Sequence, residues 1–61
     1  MIIERTSPFS GKVNTMELDI TYEQLKRWQD GELIQNVFPD LNVDEREFLM
    51  TGITSDEWLG L

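Results

Sequence analysis

The 61-residue sequence predicts an α+β fold in which an N-terminal two-stranded β-hairpin packs against three or four short α-helices. Residues 1–20 hold two runs rich in β-branched or alternating apolar side chains, separated by turn-forming residues. The remaining residues hold three capping pairs, each a Thr or Asn followed three positions later by Gln or Glu. Because no linker-like segment interrupts the chain, we expect one small domain over residues 1–61.

The hairpin is predicted over about residues 1–20. In the segment NTMELDI, Met16, Leu18 and Ile20 alternate with acidic residues, so the apolar side chains lie on one face of a strand. The segment TSPFSGK, residues 6–12, joins this strand to the opening MIIERT and is rich in turn formers. A hairpin alone is only marginally stable in water, so its apolar face needs a cover.

Helices are predicted over about residues 22–30 and 33–38. Thr21 can cap the first helix, while the Gln24 side chain reaches back to the N–H of Thr21. The second helix is limited to one or two turns, because Pro39 disfavours helical geometry at the residue before it.

Two further helices are predicted over about residues 43–51 and 55–60. Each begins after a capping pair, and acidic residues fill the first turn, where the helix dipole favours negative charge. Gly52 suits the end of the third helix. The capping pairs are Asn42 with Glu45 and Thr54 with Glu57.

The composition argues against several classes of site. The chain has neither cysteine nor histidine, so it lacks disulfides and the usual ligands of zinc, and we expect no metal and no cofactor. No segment approaches the ~20 apolar residues that span a membrane. A short chain without disulfides or a signal segment favours a soluble protein of the reducing cytoplasm.

The net charge of −7 is concentrated in the second half of the chain. Residues 1–30 carry five acids against four bases, a balance of −1, whereas residues 31–61 carry seven acids against Arg46 alone, a balance of −6. Such a surface repels nucleic acids and membrane phosphates, because binding to them depends on Lys and Arg. A basic protein partner would be attracted instead.

The loop TSPFSGK has some features of a phosphate-binding loop but does not match the pattern. If Gly11 and Lys12 ended such a loop, its first glycine would fall at Thr6 and its hydroxyl at Val13, and neither residue fits. A phosphate loop also leads from a strand into a helix, whereas this segment is predicted between two strands. We therefore interpret it as a bend, with Ser10 and Lys12 available for surface contacts.

The segment DLNVDE begins like a calcium loop, with oxygen-bearing side chains at its first, third and fifth positions. The sixth position of such a loop needs glycine and here is Glu45, and the twelfth needs a bidentate acid and here is Thr51. The start of a helix accounts for the same acids, so we do not expect calcium.

No catalytic set can be assembled from the residue types present. Without histidine or cysteine, the options are carboxylate pairs, Lys or Ser, and each needs burial or a positioned neighbour to acquire a useful pKa. Glu45 and Glu47 are two positions apart on a predicted helix and so point in different directions. We expect a protein that is not an enzyme.

Most aromatic rings are expected in the core. Phe9, Trp28, Phe38, Phe48 and Trp58 could stack on single-stranded nucleic acid, but that function needs a basic groove, and the second half of the chain has none. Trp58 is the ambiguous residue. We favour a core position for it, and the alternative is an exposed apolar contact for a partner.

From about Arg5 to Trp58, the chain resembles a family of short uncharacterised proteins encoded by tailed bacteriophages and bacterial prophages. The resemblance rests on the segments TSPFSGK, TMELDIT, RWQDGELIQNVFPDL and DEREFLMTGIT, followed by Trp58. Some members carry a C-x-x-C pair where this chain has Thr54 and Glu57, so no metal role transfers. The resemblance implies a mobile-element gene acting in the bacterial cytoplasm. It brings no catalytic residues, because the family has no established activity.

These observations favour a small acidic protein-interaction module that binds and modulates a host or phage protein. Its expected contacts are the apolar Trp58 and an acidic surface made of Asp40, Asp44, Glu45, Glu47, Asp56 and Glu57. One alternative is a nucleic-acid mimic, in which the acids imitate phosphates and block a DNA- or RNA-binding protein. Another is a homodimeric structural accessory protein that pairs through the hairpin edges or the Trp58 region. The blandest interpretation is that the acids only keep a small protein soluble.

Overall fold

The computed structural model describes residues 1–60 and confirms the α+β fold. Within that range a hairpin precedes four helices, and each helix ends within one residue of its predicted bounds. The elements are β1 (Ile2–Thr6), β2 (Val13–Glu17), α1 (Tyr22–Gln29), α2 (Ile34–Val37), α3 (Val43–Thr51) and α4 (Ser55–Leu59). Leu61, the last residue of the predicted domain, lies outside the described residues.

The two strands pair in antiparallel register, from Ile2 opposite Glu17 to Thr6 opposite Val13. Successive side chains of a strand point to opposite faces, and here alternate residues are exposed and half-buried. The half-buried residues form the inner face of the hairpin, which consists of Ile3, Arg5, Asn14 and Met16.

The second strand is shorter than the alternating pattern of the sequence. The pattern runs to Ile20, but β2 ends at Glu17 because β1 begins at Ile2 and offers little more to pair with. The N–H of Leu18 still donates to the carbonyl of Met1 at 2.8 Å. Beyond that bond the chain leaves the sheet, and both Leu18 and Ile20 are buried in the core.

Local hydrogen bonds fix both ends of α1. The Thr21 hydroxyl accepts from the N–H of Gln24 at 3.2 Å, and the Gln24 carboxamide oxygen accepts from the N–H of Thr21 at 2.9 Å, as predicted. At the other end, Gly31 and Glu32 donate back to the last turn in a Schellman motif. Arg27 and Glu32 also form a bidentate salt bridge, with N–O distances of 3.0 and 2.9 Å, where this motif more often has an apolar contact.

The predicted capping chemistry also starts α3 and α4. Asn42 Oδ1 accepts from the N–H of Glu45 at 2.8 Å, and Thr54 Oγ1 accepts from the N–H of Glu57 at 3.3 Å. Between these helices, Gly52 adopts a left-handed backbone (φ 79°) and ends α3. Short-range sequence signals therefore set the boundaries of three of the four described helices.

The core is a single cluster of apolar side chains from the end of the hairpin and the helices. Its buried members are Leu18, Ile20, Val37, Phe38, Leu41, Phe48 and Leu49. Trp28 packs edge-on against Phe38, with ring centroids 6.1 Å apart and an interplanar angle of 81°, which is a favourable aromatic arrangement. Burial of one ring such as Phe48 contributes roughly 1.5–3 kcal/mol.

The favoured core position of Trp58 is wrong, and Phe9 also lies outside the core. Trp58 is 46% exposed and Phe9 is 57% exposed, whereas Phe38 and Phe48 are buried as expected. The reason is that α4 has five residues and buries none of them. A polar side chain, Glu57, connects this helix to the hairpin.

Gly52→Ala should destabilise the protein more than the matched control Gly11→Ala. Both glycines have similar positive φ angles, 79° and 75°, so alanine costs roughly 1–2 kcal/mol at either position. A Cβ at Gly52 would lie 2.8 Å from the carbonyl oxygen of Thr6, whereas a Cβ at Gly11 meets no atom within 4 Å. We expect an additional loss of about 1–3 kcal/mol for Gly52→Ala, measured by urea unfolding followed by Trp fluorescence. Equal losses would contradict the close approach of α3 to β1.

Candidate functional site

The six acids of the predicted surface divide into two groups by their hydrogen bonds. Glu45 and Glu57 accept hydrogen bonds from other residues of the protein. Within residues 1–60 none of the six forms a salt bridge, since the two that are present join Arg27 to Glu32 and the Met1 amino group to Glu17. The remaining four have no hydrogen bond to their carboxylates in that range, and we call them the unpaired acids: Asp40, Asp44, Glu47 and Asp56.

Glu45 is part of the cap of α3. Its Oε1 accepts from the N–H of Asn42 at 2.9 Å, which completes the reciprocal pair with the Asn42 side chain. Its carboxylate therefore satisfies a backbone donor at the start of the helix, in the first turn where negative charge is favoured. A partner that used Glu45 would have to compete with this bond.

Glu57 connects α4 to the hairpin and its loop. Its Oε1 accepts from Asn14 Nδ2 at 2.5 Å and from the N–H of Thr54 at 3.2 Å, and its Oε2 accepts from the Ser10 hydroxyl. The hydrogen bond from Ser10 is the largest cause that lowers the pKa of Glu57 from 4.5 to about 2, with smaller contributions from Thr54, Asn14 and Ser7. Burial acts in the opposite direction but is outweighed. The carboxylate thus stays ionised in the fold.

The loop TSPFSGK is a bend between β1 and β2, as predicted. The Ser7 hydroxyl oxygen accepts from the N–H groups of Phe9 and Ser10 at 3.2 and 3.3 Å, and the N–H of Ser7 donates to the carbonyl of Lys12 at 2.8 Å. This arrangement holds the Ser10 hydroxyl against Glu57. The loop therefore contacts an anionic group after all, but that group is a carboxylate of the same chain.

Two polar residues on the inner face of the hairpin bind the C-terminal end of α3. The Arg5 guanidinium donates to the carbonyl of Leu49, and Asn14 Nδ2 donates to the carbonyl of Gly52 at 2.9 Å. The last carbonyls of a helix have no partner inside the helix, so these bonds satisfy groups that would otherwise need water. Sequence reasoning missed both residues. Their signal was a polar side chain at an inward position of each strand.

Apolar side chains lie on both sides of α3. Phe48 and Leu49 are buried in the core, while Val43 and Met50 are 66% and 50% exposed. Val43, Glu47 and Met50 follow each other at i, i+4 and i+7, so they share one side of the helix, away from the core. We call Val43, Glu47 and Met50, flanked by Asp44 on one side and Arg46 on the other, the outer face of α3.

Residues 1–60 form neither a metal site nor a pocket nor a membrane-spanning helix. Within residues 1–60 no group of three or more acidic side chains is placed to hold a metal ion, and no pocket is found. None of the helices in that range combines the length and the apolar character needed to cross a bilayer. What this part of the chain does present is four acids that form no salt bridge, together with exposed apolar side chains.

Glu57→Gln should destabilise the protein at neutral pH, and the loss should disappear in acid. Because the folded-state pKa is about 2 and the ordinary value is 4.5, ionised Glu57 stabilises the fold above pH 4.5. This contribution is lost as the pH falls from 4.5 to about 2. Urea midpoints of both proteins across that range would measure the effect, and a carbon-13 titration should place the Glu57 midpoint near 2.

Glu23→Gln is the matched control, because Glu23 is an exposed acid of α1 whose carboxylate has no hydrogen bond within residues 1–60. We expect it to change the midpoint little at any pH. If Glu57→Gln were as stable as the native protein at pH 7, the connection between α4 and the hairpin would be refuted.

Comparison of the chain with protein-family models, with curated proteins and with solved structures gave no match. The resemblance to phage and prophage proteins therefore stays a prediction.

Proposed function

We propose that this protein is a small acidic interaction module of phage or prophage origin, acting in the bacterial cytoplasm, that binds and modulates a host or phage protein. The observation that carries the proposal is the set of unpaired acids. Asp40, Asp44, Glu47 and Asp56 have no salt bridge and no hydrogen bond to their carboxylates within residues 1–60. Their charge is available to a second molecule.

The expected partner carries positive charge at its contact surface. Residues 31–61 have a balance of −6, and such a field accelerates encounter with a basic protein and disfavours acidic ones. The same field opposes direct binding to nucleic acid or to anionic lipid. Exposed Trp58 supports a protein partner, because tryptophan is enriched among residues that dominate binding energy.

A role in binding fits the chemistry of the acids better than a role in catalysis. General acid catalysis by a carboxyl group needs a pKa raised toward neutral pH. Glu57 instead has its pKa lowered to about 2 by hydrogen bonds. Its contacts connect two elements of the fold and leave no proton to donate at neutral pH. The proposal therefore involves no enzymatic activity and no cofactor.

A nucleic-acid mimic is the second candidate. Asp44 and Glu47 are three positions apart on α3, where side chains lie roughly 5–6 Å from each other, and Asp40 precedes the same helix. A run of unpaired carboxylates along one element is the feature that a phosphate-binding protein would recognise. Competition by duplex DNA for the captured partner separates this candidate from ordinary protein binding.

A homodimer is the third candidate. The sheet has two strands, so β1 and β2 each keep one edge without a partner strand in the described chain. Such edges can pair with a second copy. Sedimentation equilibrium at several concentrations tests this candidate, and a constant mass of 7.2 kDa would exclude an obligate dimer.

Neutralising four acids of the second half should abolish capture of the partner while the fold is kept. The variant combines Asp40→Asn, Asp44→Asn, Glu47→Gln and Asp56→Asn. It leaves Glu45 in place, so the cap of α3 is intact. Tagged protein would be incubated with bacterial lysate and eluted in a salt gradient, and circular dichroism would confirm the fold.

The control for this experiment neutralises the same number of charges in the first half. It combines Glu4→Gln, Asp19→Asn, Glu23→Gln and Asp30→Asn. Native protein and control should capture the same basic protein and release it at moderate salt, because attraction between exposed charges is screened. Capture that survives in the second-half variant would remove the acids from the proposed function.

A further inference from the structure

We propose that the outer face of α3 is the docking site for a cationic amphipathic segment of the partner protein, with an apolar side chain across Val43 and Met50 and basic groups on Asp44 and Glu47. This inference rests on the proposed function and specifies where and how the partner binds. It starts from an unusual feature of α3, which carries apolar side chains on the side opposite the core.

The exposed apolar residues of α3 are not needed by the fold. Phe48 and Leu49 supply the contacts of this helix with the core. Val43 and Met50 stand two turns apart on the other side, about 10 Å along the helix axis, and both are at least half exposed. Methionine adapts to irregular apolar surfaces and is frequent where proteins bind varied partners. Glu47 lies between them on the same side of the helix, so one apolar residue of a partner can pack across Val43, the CH2 groups of Glu47 and Met50.

The charges around these residues select the sign of the partner. Asp44 and Glu47 are unpaired, and Asp40 lies just before the helix. Arg46, the single base of residues 31–61, flanks the same face and leaves it with a negative balance. Basic residues that flank an apolar side chain would complement this pattern.

Other occupants fit the outer face less well. A second copy that used the same face across a two-fold axis would bring together two surfaces of negative balance, and like charges oppose association. Nucleic acids and anionic membranes meet the same repulsion. A basic protein segment is the occupant that satisfies both the apolar and the charged part of the surface.

The experiment uses the full chain labelled with nitrogen-15 and a synthetic peptide of Lys and Leu, patterned so that Leu occupies one helical face. The peptide with Glu in place of every Lys is the control ligand. We expect saturable shifts of backbone amides within Val43–Thr51 with the Lys peptide and none with the Glu peptide. The largest shifts at Phe9, Trp58 and Leu59 would overturn the inference in favour of the loop and α4.

Two double variants that preserve the net charge distinguish binding at the outer face from nonspecific binding to exposed apolar side chains. Val43→Ser with Met50→Ser should weaken binding of the Lys peptide by about tenfold, because it removes the apolar contacts at the centre of the site. Tyr22→Ser with Leu59→Ser removes two apolar residues elsewhere that are even more exposed than Val43 and Met50, and it should leave the affinity unchanged. Equal effects of the two variants would overturn the inference.

The same variants distinguish failure of the inference from failure of the proposed function. If Val43→Ser with Met50→Ser still captures the lysate protein that native protein captures, the partner binds elsewhere, and the inference falls while the proposed function stands. If native protein captures no basic protein and binds no Lys peptide, both fall. Loss of capture in this variant, together with retained capture by Tyr22→Ser with Leu59→Ser, supports both.

Discussion

The carboxamide of Asn14 is the contact on which the joining of the hairpin to the last two helices depends most directly. It donates to the carbonyl of Gly52 at the end of α3 and to the carboxylate of Glu57 in α4. Arg5 adds a bond to the carbonyl of Leu49 from the neighbouring strand. The two-stranded sheet would be marginal alone, and the carbonyls at the end of α3 would lack donors. The hairpin and the end of α3 therefore stabilise each other. The inner face of the hairpin carries polar donors at one end, which bind the carbonyls of α3, and side chains that pack on the core at the other end.

This division of the hairpin determines what remains exposed. The apolar core is closed by residues that follow β2 and by the core-facing sides of the other helices. The contact of α4 with the hairpin is therefore made by the polar Glu57 and not by an aromatic ring. Trp58, next to Glu57, is consequently left half exposed. Val43 and Met50 of the outer face of α3 are left exposed for the same reason, because the hairpin contacts the C-terminal end of this helix. Exposed apolar groups in this protein are thus a consequence of how few elements are available to cover one another.

Residues near each other in sequence could be predicted, and residues far apart could not. The pairs Thr21 with Gln24 and Asn42 with Glu45 act across three positions, so composition and spacing suffice to identify them. Glu57 satisfies the same local rule, and this concealed its second role, since its partners Ser10 and Asn14 lie 47 and 43 positions away. The prediction that Trp58 is buried was wrong for a related reason. Its size favours burial, but burial depends on whether a helix of five residues can reach a core that other rings already fill.

The hydrogen bonds also reduce the number of carboxylates in the second half that are free to bind a partner. Of its seven acids, Glu32 is paired with Arg27, and Glu45 and Glu57 accept hydrogen bonds at helix caps. These three carboxylates already have partners, and a binding protein would gain less from them than from a group surrounded by water, because it would first have to break those bonds. Three of the four unpaired acids lie within α3 or three residues before it, namely Asp40, Asp44 and Glu47. Charge available for binding and exposed apolar surface therefore coincide on one helix, whereas the net charge alone assigns the acidity to the whole second half of the chain.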